Sequence, residues 1–128
     1  MDLHFRPMRL HSRIEETPDT FTQNFVPLDG KPFVNRPGQF TIVKVGDTGV
    51  CRPYTVSSTH GISEFVTTTV CRVPGGCASN WITTVPVGST VYFADPMGDF
   101  TCDDDPMEKF LLMASGSGIT PILSMTRW

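Results

Sequence analysis

The chain has 128 residues, 39% of them hydrophobic and 18% charged, which fits a single globular domain with a core of its own. Ten basic residues against 13 acidic ones give a net charge of −3, which argues against nucleic acid as the main partner, because phosphate backbones are bound by clustered Lys and Arg. The longest apolar run, 110–114, is far shorter than the roughly 20 residues that cross a bilayer. The first residues lack the apolar segment of a signal peptide. We therefore expect a cytoplasmic protein that binds neither nucleic acid nor a membrane.

The four cysteines include no C-x-x-C pair, and the three histidines are scattered along the chain. This spacing gives no support for a zinc site or any other metal site. Four cysteines are enough for two disulfides, but reduced and partly buried thiols are the default in the cytosol.

Short segments rich in Thr, Val and Phe fill the first hundred residues, with turn signals such as "DGKP", "RPG" and "GDTG" between them. They predict six strands, at residues 8–15, 20–26, 39–45, 50–57, 65–72 and 90–95. Many short strands separated by regular turns are typical of a sandwich or a barrel. One stretch, "GGCASNWITTV" (75–85), departs from this pattern, and Ser79 is a candidate N-cap for a short helix there.

The sequence changes character after about Asp105. The segment "EKFLLMASGSGITPILSMTRW" (108–128) predicts an apolar strand, a Gly-Ser-Gly turn and a helix with Pro121 in its first turn. That order opens a βαβ unit, which takes about 30 residues or more. We predict a β domain over residues 1–105 and the start of an α/β domain over residues 106–128.

Three stretches have residue types suited to binding a phosphate-bearing ligand. In "RPYTVSS" (52–58), Arg52 is suited to a phosphate and Tyr54 to stacking on a planar ring, while Thr55, Ser57 and Ser58 offer hydroxyl groups for a ring edge. The alternative is that these are ordinary residues on the outer face of a strand.

The other two stretches are rich in glycine and precede predicted helices. In "GGCAS" (75–79) and "GSGITP" (116–121), exposed backbone amides at a helix start would suit a phosphate. The second stretch is close to the dinucleotide pattern G-x-G-x-x-G, with Pro121 at the third glycine position. Taken singly, each stretch is better explained as an ordinary tight turn, in the first case followed by an N-cap serine.

The order of these motifs resembles the ferredoxin–NADP⁺ reductase superfamily over essentially the whole chain. The order runs "RPGQF" (36–40), "RPYTVSS", a Thr/Val strand ending in "VCR", "GG-x-x-S", "P-x-G-D-F" and "LLMASGSGITP". Within the superfamily, residues 54–59, 97–104 and 109–128 are similar to the NADH oxidoreductases that reduce the hybrid-cluster protein. The resemblance implies an all-β fold: a six-stranded antiparallel Greek-key barrel with one short capping helix. The orphan first strand and partial helix of an α/β nucleotide-binding domain would follow.

The resemblance also implies FAD as the cofactor and gives roles to individual residues. Arg52 would pair with the pyrophosphate, Tyr54 would stack on the isoalloxazine, and Thr55 would hydrogen-bond near flavin N5, so that Tyr54 and Thr55 lie at the reacting ring. The other expected cofactor contacts are Pro53, Val70, Arg72, Gly76, Cys77, Ala78, Ser79 and Thr120. Of the "GSGITP" stretch, Gly116, Gly118, Thr120 and Pro121 would belong to the nicotinamide-nucleotide side. FMN is less favoured, because the "GGCAS" loop suits a pyrophosphate.

The implied activity is that of an NADH-dependent flavin oxidoreductase, with electrons passing to an iron–sulfur centre and then to the hybrid-cluster protein or another redox acceptor. Two alternatives stay open: a reductase component of an oxygenase or flavohaemoglobin-type system, and a non-catalytic β-barrel binding module. The nicotinamide domain and the C-x₄-C-x₂-C run of a plant-type [2Fe–2S] domain are missing from the sequence. NADH and [2Fe–2S] are therefore expected only in a longer protein, and this chain alone is expected to be inactive. Its apolar residues 109–128 have two expected destinations: they fold back along the barrel, or they pair with the same segment of a second copy, and we favour the homodimer.

Overall fold

The computed structural model describes residues 2–128 and contains all six predicted strands. The strands are β1 (Phe5–Thr17), β2 (Thr20–Pro27), β3 (Phe40–Lys44), β4 (Cys51–Thr55), β5 (Val66–Cys71) and β6 (Thr90–Ala94). A short helix, α1 (Cys77–Ile82), connects β5 to β6, and a second helix, α2 (Ile119–Arg127), comes at the end of the chain. A 3₁₀ turn over Gly116–Gly118 leads directly into α2.

The six strands form one antiparallel sheet in the order β4-β3-β6-β1-β2-β5. The sheet curls so that the segment after β4 meets β5. The Ser57 amide donates to the Thr67 carbonyl oxygen at 2.9 Å, and the Thr67 amide donates to Ser58 Oγ at 2.9 Å. The fold is therefore the predicted Greek-key barrel, with α1 as its short helix.

Period-two alternation builds the barrel interior. Along β1, Met8 and Leu10 are fully buried, whereas the residue between them, Arg9, is exposed. Phe25 of β2 and Phe93 of β6 meet in the centre with their ring centroids 4.7 Å apart. Since successive side chains of a strand point to opposite faces, the residues that alternate with this core form the outer surface on which ligand-binding residues can lie.

The predicted apolar strand near residues 109–114 does not form. Residues 108–115 have no strand hydrogen bonds, and the side chains of Leu111 and Met113 are 85% and 79% exposed. A buried parallel strand needs neighbours on both sides, and the described residues supply none. The following helix does form, with Pro121 in its first turn as predicted. It lies on the barrel, where Ile122 and Met125 are buried.

None of the helices in residues 2–128 has both the length and the apolar character that crossing a membrane requires. All four cysteines are free thiols; Cys71 and Cys77 are exposed, and Cys51 and Cys102 are partly buried.

Candidate functional site

A cleft of about 450 Å³ separates β4 from the turn that connects β5 to α1. Its lining residues are Arg52, Pro53, Tyr54, Cys71, Val73, Gly76, Cys77, Ala78 and Ser79. Seven of these nine were predicted as cofactor contacts from the sequence. The structure therefore brings "RPYTVSS" (52–58) and "GGCAS" (75–79) together, although residues 59–74 separate them along the chain.

The cleft continues into a second cavity of about 320 Å³. Pro53, Tyr54, Cys71 and Val73 line both cavities. The second cavity adds Thr55, Thr69, Val70, Ser117 and Thr120. We call the two together the β4–β5 groove; each part lies within the 300–1,000 Å³ typical of small-molecule sites.

Arg52 provides an uncommitted positive charge at one end of the groove. Its guanidinium donates a 2.8 Å hydrogen bond to the carbonyl oxygen of Cys51, and no carboxylate of residues 2–128 forms an ion pair with it. The residues that line the groove include no Asp or Glu. The groove therefore favours an anionic ligand group, since a guanidinium can bind a phosphate through two parallel hydrogen bonds.

Tyr54 presents an aromatic ring in the middle of the groove. The ring packs on the barrel core and is half-buried, and this burial raises the pKa of the Tyr54 hydroxyl, with the nearby Arg52 charge acting in the opposite direction. The phenol is therefore neutral at physiological pH and is suited to stacking on a planar ligand. Thr55, the next residue, is paired through its backbone with Phe40 and lies in the second cavity.

The start of α1 differs from the sequence prediction, because Gly76 rather than Ser79 is the N-cap. Ser79 lies inside the helix, and its Oγ accepts a 3.0 Å hydrogen bond from the Val73 amide. That bond pulls the turn so close that a Cβ on Gly76 would lie 2.9 Å from Ser79 Oγ and 3.0 Å from the Val73 carbonyl oxygen. The glycine is therefore required by the packing of the turn, and the serine stabilises that turn.

The side chains of two expected contacts on the β5 side are engaged elsewhere, although Val70 borders the second cavity. Val70 is 3% exposed and belongs to the barrel core, so only its backbone is suited to contact a ligand. Arg72 donates to Thr83 Oγ1 at 2.8 Å and stacks over the Phe21 ring at 4.2 Å. The reason is strand alternation: Val70 has the inward phase of β5, and Arg72, directly after the strand, continues that phase.

The outward phase of β5 supplies groove residues that the sequence reasoning missed. Thr69 and Cys71 alternate with Val70, and both line the groove, as do Val73 and Ser117. Period-two alternation, counted from the buried Val70, was a signal that could have identified Thr69 and Cys71.

Two hydroxyl groups expected to face a ligand are buried instead. Ser57 and Ser58 are each 2% exposed. The Ser57 hydroxyl donates to the Thr67 carbonyl oxygen at 3.3 Å, and Ser58 Oγ accepts from the Thr67 amide. These serines close the barrel at β5 and do not line the groove.

The "GSGITP" turn lines the second cavity of the groove. Thr120 is buried, and its hydroxyl donates a 2.8 Å hydrogen bond to the Ser117 carbonyl oxygen. Ser117 and Thr120 line the same cavity as Tyr54 and Thr55. The structure thus brings the third sequence motif to the aromatic centre of the groove.

Comparison with known proteins agrees with this geometry. Residues 7–102 match the family described as "Oxidoreductase FAD-binding domain". The chain is 45% identical over 123 residues to "NADH oxidoreductase HCR" of Escherichia coli K12, a match that covers 94% of this chain and 38% of that protein. It is 39% identical over 118 residues to "Glycine betaine monooxygenase reductase subunit" of Chromohalobacter salexigens, covering 90% and 32% of the two chains.

Among solved structures, phthalate dioxygenase reductase superposes with a TM-score of 0.85 at 25% identity, over 96% of this chain and 39% of that one. The chain thus spans less than half of the length of these three proteins. The matched family covers most of the barrel and includes "RPYTVSS" and "GGCAS", whereas "GSGITP" (116–121) lies beyond the matched residues. The chain belongs to the oxidoreductase FAD-binding domain family, within the ferredoxin–NADP⁺ reductase superfamily.

Proposed function

We propose that the β4–β5 groove binds FAD and that the chain is the FAD-binding module of an NADH-dependent flavin oxidoreductase. The observation that carries this proposal is the shared groove itself, which combines a free guanidinium, an aromatic face and the start of a helix, with no acidic residue among its lining. These features fit a ligand with a planar ring and a pyrophosphate. When bound, FAD would supply the redox chemistry, because a flavin can accept a hydride and release the electrons one at a time.

The residues have distinct parts in this proposal. Arg52 and the first amides of α1, at Cys77 and Ala78, hold the pyrophosphate, because the first amides of a helix have no intrahelical acceptor and carry a partial positive charge. Tyr54 supports one face of the ring, and Thr55 donates or accepts a hydrogen bond at the ring edge. Pro53 and the β5 backbone at Val70 exclude water from one side of the ring.

The nucleotide side of the groove supports a place for NADH in the longer protein. Ser117 and Thr120 lie in the same cavity as Tyr54, so a nicotinamide held by the "GSGITP" turn would meet the ring over Thr55. We propose that the chain by itself has no useful NADH-driven turnover, because precise alignment of two reactants contributes on the order of 7–11 kcal/mol. A ferricyanide assay with NADH tests this, and turnover on the order of 10 s⁻¹ would contradict it.

The acceptor we favour is an iron–sulfur centre followed by the hybrid-cluster protein. Support comes from the 45% identity to an NADH oxidoreductase of Escherichia coli and from the motif resemblance. A second candidate is the reductase component of an oxygenase, favoured by the names of the glycine betaine monooxygenase and phthalate dioxygenase relatives. We propose the cytoplasm as the compartment, in keeping with four unpaired thiols in the described part of the chain.

Titration of the purified chain with FAD tests the proposed function. We expect quenching of flavin fluorescence, a shift in its visible spectrum, and weaker binding of FMN than of FAD. Arg9→Ala removes an exposed arginine of β1 and is the control for loss of a positive charge; it should bind FAD like the parent chain. Absence of a spectral change at high micromolar protein would contradict FAD binding.

A further inference from the structure

The helix α1 has few of the features that usually stabilise helix ends. It has six residues, no N-cap side-chain hydrogen bond, no acidic residue in its first turn and no basic residue in its last turn. Isolated helices much shorter than about 12 residues are unstable in water. Contacts from other parts of the barrel therefore have to supplement those of Ser79 and Asn80 with the preceding turn.

Two arginines from outside the helix donate hydrogen bonds to carbonyl groups at and just after its C-terminal end. Arg13, on β1, donates to the carbonyl oxygens of Ile82 at 3.2 Å and Val85 at 2.6 Å. Arg72, directly after β5, donates to Thr83 Oγ1 at 2.8 Å and to the Thr83 carbonyl oxygen at 3.3 Å. Cations at a helix C-terminus complement its partial negative charge.

Carboxylates of residues 2–128 play no part in holding these two arginines in place. Neither forms an ion pair with a carboxylate of that part of the chain. They also lie close enough to repel each other: burial and the Arg72 charge together lower the pKa of Arg13. Holding two like charges side by side is unfavourable, and the hydrogen bonds to the carbonyl groups at the end of α1 offset part of that cost.

The orientation of both side chains is fixed by their surroundings. The Arg13 guanidinium also donates to Gln23 Oε1 at 3.1 Å, and Gln23 is fully buried in β2. Arg72 is stacked on Phe21, the neighbouring inward residue of β2. The helix end is thus tied to the rigid β1–β2 hairpin and not to the groove.

The opposite end of α1 faces the β4–β5 groove. Cys77 and Ala78, the first two residues of the helix, line that groove. A six-residue helix rises only about 9 Å, so an anchor at one end determines where the other end lies. We propose that Arg13 and Arg72 are positioning residues that hold the start of α1 against the pyrophosphate of FAD, without contacting the cofactor themselves. This inference rests on the proposed function.

Flavins of different length separate this role from a general effect on stability. Riboflavin has no phosphate, FMN has one, and FAD has a pyrophosphate and an adenosine. Loss of the Arg13 contacts should therefore weaken FAD most and riboflavin least. For Arg13→Met we expect the Kd of FAD to rise on the order of tenfold, while the Kd of riboflavin changes less than about twofold. Arg13→Lys keeps the charge and should recover part of the FAD affinity. Arg9→Met, an exposed arginine on the same strand, is the matched control.

Amide hydrogen exchange of the flavin-free chain provides the second measurement. In Arg13→Met and Arg72→Met we expect faster exchange over residues 77–82 and unchanged exchange over the β1–β2 hairpin. This measurement does not require any flavin to bind, so it tests the anchoring even if the parent chain fails to bind FAD, a result that would overturn only the proposed function. A variant in which the hairpin itself exchanges faster is globally destabilised, and the other variant then decides.

Three results would overturn the inference. They are unchanged exchange over residues 77–82 in both variants, equal loss of FAD and riboflavin affinity, and faster exchange of α1 with unchanged FAD affinity. Faster exchange together with selective loss of FAD affinity supports it.

Discussion

The hydroxyl group of Thr59 donates a 2.7 Å hydrogen bond to the carbonyl oxygen of Ser124, and Ser124 Oγ donates in return to the Ser58 carbonyl oxygen at 2.8 Å. Both Thr59 and Ser124 are buried. The pair joins the segment that follows β4 to the middle of α2. The strand carrying Tyr54 and the helix that follows the "GSGITP" turn are therefore connected through a reciprocal polar contact.

Removing one partner of this contact tests its contribution to stability. Thr59→Val keeps the shape but leaves the buried Ser124 carbonyl group without its donor, which costs about 1–3 kcal/mol. We expect a lower denaturant midpoint and faster proteolysis within residues 119–127. Thr126→Val is the matched control, because the Thr126 hydroxyl makes a similar bond to Leu123 on the exposed side of the same helix. Equal effects of the two substitutions would contradict the prediction.

A second prediction concerns Gly38, which packs against the other side of α2. Gly38 has a φ of +100°, and a Cβ there would lie 1.9 Å from the Phe100 carbonyl oxygen and 2.7 Å from Met125 Cε. Gly38→Ala should therefore lower the free energy of unfolding by more than the roughly 1–3 kcal/mol of backbone strain alone. Gly49→Ala has the same type of strain, at φ +77°, with no atom within 4 Å of the added Cβ. Thermal unfolding of both variants separates the steric clash at Gly38 from the backbone strain that both positions share. Similar melting temperatures of the two variants would contradict the predicted clash.

The strands and the groove differ in how far the sequence predicts them. Strand positions follow from alternating Val, Thr and Phe residues, which is a local property, and Met8 and Leu10 are buried with the expected period. The destination of a long or polar side chain depends on residues distant in the sequence. Arg72 contacts Thr83 and Phe21, and Ser79 Oγ accepts a hydrogen bond from the Val73 amide. No spacing within "RVPGGCAS" contains that information.

The order of the motifs along the chain predicts the groove better than any single motif does. Arg52, Tyr54 and Gly76 are adjacent in space because the β4 and β5 edges meet when the barrel closes. The strand predicted near Leu111 is absent because its neighbours are missing from residues 2–128, and not because its own sequence is unsuitable. Its apolar sequence encodes a buried strand, but the neighbours needed to bury it are not among the described residues.

A third prediction concerns the anionic end of the groove. Arg52→Ala should raise the Kd of FAD roughly 10- to 150-fold, the range for losing a hydrogen bond to a charged group. The effect on riboflavin should be small, because riboflavin carries no phosphate. Since Arg52 is exposed and bonded only to the Cys51 carbonyl group, the thermal stability of the flavin-free chain should stay the same. A fluorescence titration checks this, and an equal loss of riboflavin affinity would contradict the role of Arg52.

A fourth prediction concerns pH and the ion pair between Arg36 and Asp103. Two guanidinium nitrogens of Arg36 bond to Asp103 at 2.7–3.1 Å, and this contact lowers the pKa of Asp103 below its usual value. The stabilisation is therefore complete above the unfolded-state value of about 3.9 and is lost as the pH falls through the lower folded-state value.

Asp103→Asn should remove that part of the acid sensitivity, so that its stability falls less steeply below about pH 4 than that of the parent chain. Asp47→Asn, in an exposed turn and outside any ion pair of residues 2–128, is the control. Denaturant titrations at several pH values measure the slopes. If Asp103→Asn has the parent slope, the ion pair does not contribute to the pH dependence.

The last prediction concerns self-association through residues 109–128. Leu111 and Met113 are 85% and 79% exposed, and Phe110 and Trp128 are 45% and 59% exposed. Burying a large apolar side chain stabilises by roughly 1.5–3 kcal/mol, and an unpaired extended segment readily pairs with another chain. Because α2 already lies on the barrel through Ile122 and Met125, the segment left for a second copy is 110–113.

We expect a concentration-dependent dimer by size-exclusion chromatography with light scattering, and a monomer for the double variant Leu111→Lys/Met113→Lys. Val87→Lys, an exposed apolar residue in the turn before β6, is the control that should leave the dimer intact. A monomeric parent chain at all concentrations would disprove the dimer.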